Sequence, residues 1–178
     1  MRGVSRRGAL LFLETITFSV IVPGAVVFWI PRDVLGIWGQ TSPSSWSVRH
    51  LAATVPLTVG FGVYLRCLWE FAARGQGIPA PVDHPKQLVV TGLYQYVRNP
   101  MYVGVMLFLL GEALFFGSPR FLLYAIAWLV FVHINVLLYE EPNLRRKFGS
   151  SYERYTTAVH RWIPGKKYRA LSDPTIGD

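Results

Sequence analysis

The chain has 178 residues, enough for one domain, and 52% of them are hydrophobic while only 16% are charged, against about 25% charged in soluble proteins. Its single cysteine, Cys67, excludes an intramolecular disulfide and a cysteine metal cluster. The net charge of +8 does not point to nucleic acid, because lysines and arginines gather in loops flanking apolar segments, where the positive-inside rule and anionic headgroups account for them.

A first span is expected at residues 9–30, long enough to cross about 30 Å of hydrocarbon. Its basic start, Arg2, Arg6 and Arg7, resembles a signal-peptide opening. The apolar run is too long for that and lacks a clear small-x-small cleavage site, so a retained helix is expected. Pro23-Gly24 predicts a kink, since proline removes one backbone hydrogen bond. Residues 31–47 are rich in Gly, Pro and Ser and read as a loop. A second span is expected at 48–73, with Pro56, Gly60 and Gly62 inside it; small residues there permit close helix approach. Residues 74–98 form a polar connection that contains Gly75, Gly77, Pro79, Pro81 and Pro85 and begins as an irregular loop.

The third span, 100–116, opens on Pro100, at home in a first helical turn. Gly117-Ser118-Pro119 reads as a tight turn into a fourth span at 120–139, so the last two spans form a helical hairpin. Beyond Glu140, apolar residues recur at spacings of three and four: Leu144, Phe148, Tyr152, Tyr155, Val159 and Trp162. That pattern predicts an amphipathic helix on the membrane surface or over a pocket. Residues after Pro164 read as a flexible tail. The expected architecture is all-α: a single integral membrane helical bundle over 1–178, about four transmembrane helices with a C-terminal cytoplasmic amphipathic helix. The lysine and arginine bias places both termini in the cytoplasm, and a bacterial inner (plasma) membrane is the expected location.

Chemistry-bearing residues concentrate at one boundary. The block Thr91-Gly92-Leu93-Tyr94-Gln95-Tyr96-Val97-Arg98-Asn99-Pro100-Met101-Tyr102 is polar between apolar helices. The acidic pair Glu140-Glu141 ends the fourth span on the same side. Carboxylates at a helix C-terminus oppose the macrodipole, so they need a partner: Arg98, the cluster Arg145-Arg146-Lys147, or a cationic ligand. Asn99 is placed to cap the third helix, whose N-terminus suits an anion such as a carboxylate. Tyr94, Tyr96 and Tyr102 suit either base stacking or an interfacial aromatic belt. Glu112, His133 and Asn135 lie within spans, where polar residues are functional candidates. Glu14 pairs with Arg6 or Arg7 in the simplest reading. His50, His84 and His160 offer no metal-ligand spacing, and no metal site is expected. No Walker loop, strand-linked GxGxxG, nucleophile elbow or HExxH occurs.

The segment Leu88-Val89-Val90-Thr91-Gly92-Leu93-Tyr94-x-Tyr96-x-Arg98-Asn99-Pro100-Met101-Tyr102 resembles the isoprenylcysteine carboxyl methyltransferase family. So does Glu140-Glu141-x-x-Leu144-x-x-x-Phe148-Gly149-x-x-Tyr152-x-x-Tyr155, with Val159, Arg161 and Pro164 after it. Phospholipid N-methyltransferases and some thiol methyltransferases are similar in this region. The resemblance, over residues 86–164, implies a membrane fold that binds S-adenosylmethionine near the cytoplasmic surface and releases S-adenosylhomocysteine. It implies a cofactor site of Lys86, Gln87, Leu88, Val89, Tyr94, Asn99, Pro100, Met101, Tyr102 and Glu140. Asn99 stands where the eukaryotic enzymes have histidine, and Val136 stands where the isoprenylcysteine enzymes carry a substrate-site arginine. These departures favour a bacterial-type relative. Catalytic candidates are Arg98, Asn99, Glu141, Asn135 and His133.

The expected function is therefore methyl transfer to a lipophilic or membrane-associated acceptor, with the bilayer as partner and no role for nucleic acid. The acceptor is the carboxylate of an isoprenylcysteine-like substrate or a related small acceptor; the alternatives are a phospholipid or other amine, and a thiol. A noncatalytic scaffold or a small transporter is the rival from another class; a transporter places its polar groups nearer mid-span.

Overall fold

The computed structural model describes residues 17, 21–34, 36, 46–74, 88–169 and 176–177, with the backbone alone for 71–74, 89 and 176–177. Most of the first expected span, its basic start, Glu14 and His84 lie outside the described residues, as do Lys86 and Gln87. What is described of that span is a short α-helical turn at 21–24 that passes into π winding, α1 (Ala25–Val34), with Pro31 inside it. The change of winding falls at Pro23-Gly24, where a kink is expected.

Helix α2 (Val48–Arg74) runs for 27 residues, about 40 Å at 1.5 Å per residue. Helix α3 (Pro100–Phe116) is shorter, and α4 (Pro119–Asn135) returns beside it. The turn between α3 and α4 forms as its sequence demands: Gly117 adopts left-handed φ 59°, and its N–H bonds the carbonyl of Leu114, satisfying an end-of-helix acceptor. Among the described residues, two helical stretches are long and apolar enough to cross a bilayer, Val48–Glu70 and the rod that begins at Pro119. Their outer faces carry Val55, Phe61, Trp69, Leu123, Phe131 and Leu138, all exposed. Such a surface needs an apolar solvent, and lipid supplies it.

Packing of α2 on α3 uses missing side chains. A Cβ on Gly60 would lie 2.6 Å from the Gly104 carbonyl oxygen and 2.8 Å from the Phe108 nitrogen. A Cβ on Gly111 would lie 2.6 Å from Leu57 Cγ. Close backbone approach of this kind substitutes for a hydrophobic driving force that lipid does not provide. Val27, Val105, Leu109 and Ala125 then close the core between α1, α3 and α4.

The fourth span and the amphipathic helix, expected as separate elements, are one rod. Residues Val136–Glu140 are π-helical and lead into α5 (Glu141–Ala158). Pro142 explains the insertion. Its ring clashes with the carbonyl four residues earlier in α winding, and the wider π turn relieves that clash. The rod bends at Gly149, φ 51° and ψ −127°, a left-handed region that favours glycine.

The described elements are helical, as expected, apart from one parallel pair of two-residue strands, β1 (Leu88–Val89) and β2 (Ile176–Gly177), in register Leu88 to Ile176. The flexible tail expected after Pro164 is corrected for residues 165–168: Gly165 N–H bonds Tyr96 O at 2.8 Å and Tyr168 N–H bonds Gln95 O at 2.9 Å. A strap, 159–168, therefore lies along the polar block.

Candidate functional site

The polar block folds as a 3₁₀ turn, Gly92–Gln95, held between α5 and the strap. Leu88, Val90, Tyr152, Tyr155 and Val159 form its apolar floor, with Leu144, Phe148 and Tyr168 against it. The face of α5 predicted from residue spacing is thus the face that packs on the block. Tyr155 donates its hydroxyl to the carbonyl of Tyr94 at 2.7 Å, and Arg98 N–H bonds His160 O at 2.9 Å.

The two acidic residues have separate partners. Tyr102 donates to Glu140 Oε2 at 3.3 Å, so the N-terminal turn of α3 meets the end of the hairpin across 38 residues of sequence. Glu141 is buried and receives two guanidiniums. Arg161 Nε and its second nitrogen approach the two carboxylate oxygens at 2.6 and 2.9 Å, and Arg98 lies 3.1 Å from Oε1. The π turn makes this possible. Glu141 N–H bonds Val136 O five residues back, so buried Val136 and buried Glu141 share an inward face. Five residues of α-helix at 3.6 per turn would set them about 140° apart.

Glu141 lies beyond the apolar span. Burial pushes its carboxyl up, but the Arg161 hydrogen bond and the charges of Arg98, Arg161 and Arg145 outweigh burial and hold it below the usual carboxylate range. The same hydrogen bond raises the Arg161 guanidinium. Beside this ion pair opens a cleft of about 730 Å³ lined by Leu137, Glu141, Pro142, Arg145, Arg146 and Arg161.

Other candidates stand as follows. Asn99 is buried, but it does not cap α3 through its side chain; its amide donates to Arg161 O at 3.2 Å instead. Pro100 is fully buried and Met101 half-buried. Leu88 packs into the floor, and the Val89 backbone pairs with β2. His133 Nδ1 accepts from Trp162 Nε1 at 3.1 Å, which ties α4 to the strap. Asn135 is exposed. Glu112 is buried within α3 and its Oε2 has no hydrogen-bond partner. Cys67 is buried and carries no partner thiol. Among the described residues no cluster of metal-ligating side chains occurs.

Sequence reasoning gave no site role to two residues, Arg161, which it quoted only within the family-like motif, and Glu70. Arg161 completes the Glu141 pair from twenty residues away, with no local spacing to announce it. Glu70, at the end of α2, is buried against the turn at Gly92; an acid that follows Arg66 by four residues reads as an ordinary helix-surface pair. Buried polar atoms without a hydrogen-bond partner gather around this block: both carboxylate oxygens of Glu70, Thr91 Oγ1 and Arg98 Nε. Buried polar groups are normally satisfied, so the gathering has the character of a ligand site.

Comparison with known proteins identifies the family. The family model described as phospholipid methyltransferase matches residues 48–151, from the start of α2 through Tyr102, Glu140 and Glu141 into α5, and ends before Arg161. A protein-S-isoprenylcysteine O-methyltransferase of Schizosaccharomyces pombe is 37% identical over 79 residues, 43% of this chain and 33% of the relative. An uncharacterized protein of Haemophilus influenzae is 33% identical over 63 residues, 35% of this chain and all of the relative. The chain thus spans about a third of the length of the yeast relative. No solved structure matches. Since the matched region takes in α2, the polar block, the hairpin and most of α5, the chain belongs to the phospholipid methyltransferase family.

Proposed function

We propose that the protein is an S-adenosylmethionine-dependent methyltransferase of the membrane, acting on a lipophilic or membrane-associated acceptor. The observation that carries the reading is the meeting of Tyr102 with Glu140 beside unpartnered Thr91 and Arg98 atoms. The residues fit the cofactor. Tyr94 and Tyr102 offer aromatic faces for an adenine, Glu140 accepts from hydroxyl or ammonium donors, and the N-terminus of α3 at Asn99–Pro100 favours a carboxylate. Lys86, Gln87, Leu88, Val89 and Met101 complete the proposed set. When bound, the cofactor supplies an electrophilic sulfonium methyl group.

The protein's own contribution is orientation and exclusion of water. The clasp of Arg98 and Arg161 on Glu141 fixes the strap over the polar block, and the Trp162–His133 bond fixes its far end. Arg98, Glu141, Asn99 and His133 act in this reading by holding the site together, while Asn135 is exposed and takes no part in it. The cleft beside Glu141 joins apolar Leu137 to three arginines, a lining suited to an amphiphilic acceptor with an anionic group. An isoprenylcysteine-like carboxylate fits that description, and the yeast relative supports it. The family match supports a second acceptor class, a phospholipid amine. Both termini face the cytoplasm of a bacterial inner membrane in this reading, where soluble cofactor reaches the block.

Calorimetry of S-adenosylhomocysteine against the detergent-solubilised protein tests the cofactor site. Tyr102→Phe and Glu140→Ala are expected to weaken binding at least tenfold while the protein stays folded. Unchanged affinity in both variants would sink the assignment.

A further inference from the structure

The carboxylate of Glu70 is a buried charge without a hydrogen-bond donor. Its side chain is 4% exposed, and neither oxygen has a hydrogen-bond partner. Arg66 Nε approaches Oε1 at 3.0 Å, but Arg66 is 58% exposed and its contact lacks hydrogen-bond alignment. Charge is compensated from one side only, at the solvent edge. Buried ions are ordinarily paired and hydrogen-bonded, so this carboxylate is incomplete as it stands.

Its surroundings are built to admit it. Gly92 has φ +57°, and a Cβ there would lie 1.7 Å from Glu70 Oε1 and 2.0 Å from Oε2. Only glycine leaves room for the carboxylate under this turn, and only glycine adopts the turn without strain. The next residue back, Thr91, is also buried, and its hydroxyl oxygen has no partner. Three unpartnered oxygens thus belong to the carboxylate under this turn and to the residue that leads into it. An ammonium group offers three donors and one positive charge. Helix α2 packs against the Gly92–Gln95 turn, and that turn carries Tyr94 of the proposed cofactor set. The carboxylate therefore adjoins the proposed cofactor wall.

We propose that Glu70 and the Thr91 hydroxyl form a subsite for an ammonium group beneath the Gly92 turn. The inference deepens the methyltransferase reading and rests on it for the identity of the ligand. Two ligands carry this chemistry: the amino-acid end of the cofactor and the headgroup of an ethanolamine lipid.

The test uses the full chain in detergent, with S-adenosylhomocysteine, 5′-methylthioadenosine and short-chain phosphatidylethanolamine or phosphatidylglycerol as probes. Methylthioadenosine keeps the adenosine and thioether but lacks the ammonium. If the cofactor supplies the ammonium, Glu70→Gln weakens S-adenosylhomocysteine at least tenfold and leaves methylthioadenosine unchanged. If the lipid supplies it, Glu70→Gln leaves both nucleosides unchanged and abolishes the preference for phosphatidylethanolamine over phosphatidylglycerol. Thr91→Val moves the same probe about threefold and serves where Glu70→Gln fails to fold. The proposal is overturned if both variants bind every probe as the wild type does. It is equally overturned if the two nucleosides weaken together. Wild-type protein that binds neither nucleoside contradicts the methyltransferase reading instead, and the ammonium subsite then stands or falls on the lipid pair.

Discussion

Replacing Glu141 with alanine removes the carboxylate that two guanidiniums share. Arg98 is 12% exposed and Arg161 26%, so Arg98 is left almost fully buried without its counter-charge. Breaking a buried pair costs about 3–5 kcal/mol. The open cleft beside Arg161 admits water, which puts the expected loss at the low end, about 3 kcal/mol, or roughly a hundredfold in the folding equilibrium. Denaturant or thermal unfolding in a fixed detergent reads this directly. Glu153→Ala is the control: its pair with Arg145 is more than half exposed on both sides, so its loss should stay below about 0.5 kcal/mol. Methionine at 98, 141 and 161 together leaves no orphaned charge and should recover most of the loss. A Glu141→Ala protein within about 0.5 kcal/mol of wild type would refute the clasp as an energetic element.

Further predictions concern other contacts. The folded state holds the Glu141 carboxyl below its ordinary range, so its stabilisation is present above that range and lost as pH falls through the folded value; the gap between wild type and Glu141→Ala should narrow on acidification, and a gap that widens contradicts the assignment. Gly60→Ala drives a methyl into the Gly104 carbonyl and Phe108 nitrogen and should cost about 1–3 kcal/mol by thermal unfolding. Gly62→Ala meets nothing within 4 Å and should be neutral or stabilising, helped by a helix propensity gain of up to about 1 kcal/mol. Tyr155→Phe deletes the 2.7 Å bond to Tyr94 O from a buried site; about 1 kcal/mol of stability should go with it, and an unchanged midpoint would show that the bond is not formed in solution.

Much of this arrangement was legible because membrane helices announce themselves by composition. The second span, the Gly117 turn and the hairpin appear where apolar runs and turn residues put them. The inward face of α5 was readable from the three-and-four spacing that ends in Tyr152, Tyr155 and Val159. Pairing of the polar block with the acidic end was readable too, since a hairpin returns its ends to one level; Tyr102 and Glu140 meet there. What escaped reading depends on contacts without period. Arg161 reaches Glu141 through a strap whose backbone bonds to Gln95, Tyr96 and Arg98 have no sequence signature. The π winding at 136–140 is a response to Pro142 that propensity suggests as a break rather than as a register shift. Glu70 was hidden by its sequence neighbour: the spacing to Arg66 is that of a surface pair, while its burial arises from a turn over twenty residues later.

Methyl transfer itself is the most direct test of the account. The protein, reconstituted in lipid vesicles, is incubated with methyl-labelled S-adenosylmethionine and a membrane extract, and the organic and aqueous phases are counted. The account predicts label in the lipid-soluble fraction, lost in Glu140→Ala protein that remains folded. Base-labile label would identify an ester and base-stable label an amine or thioether. No label in any fraction, together with no S-adenosylhomocysteine binding, would contradict it.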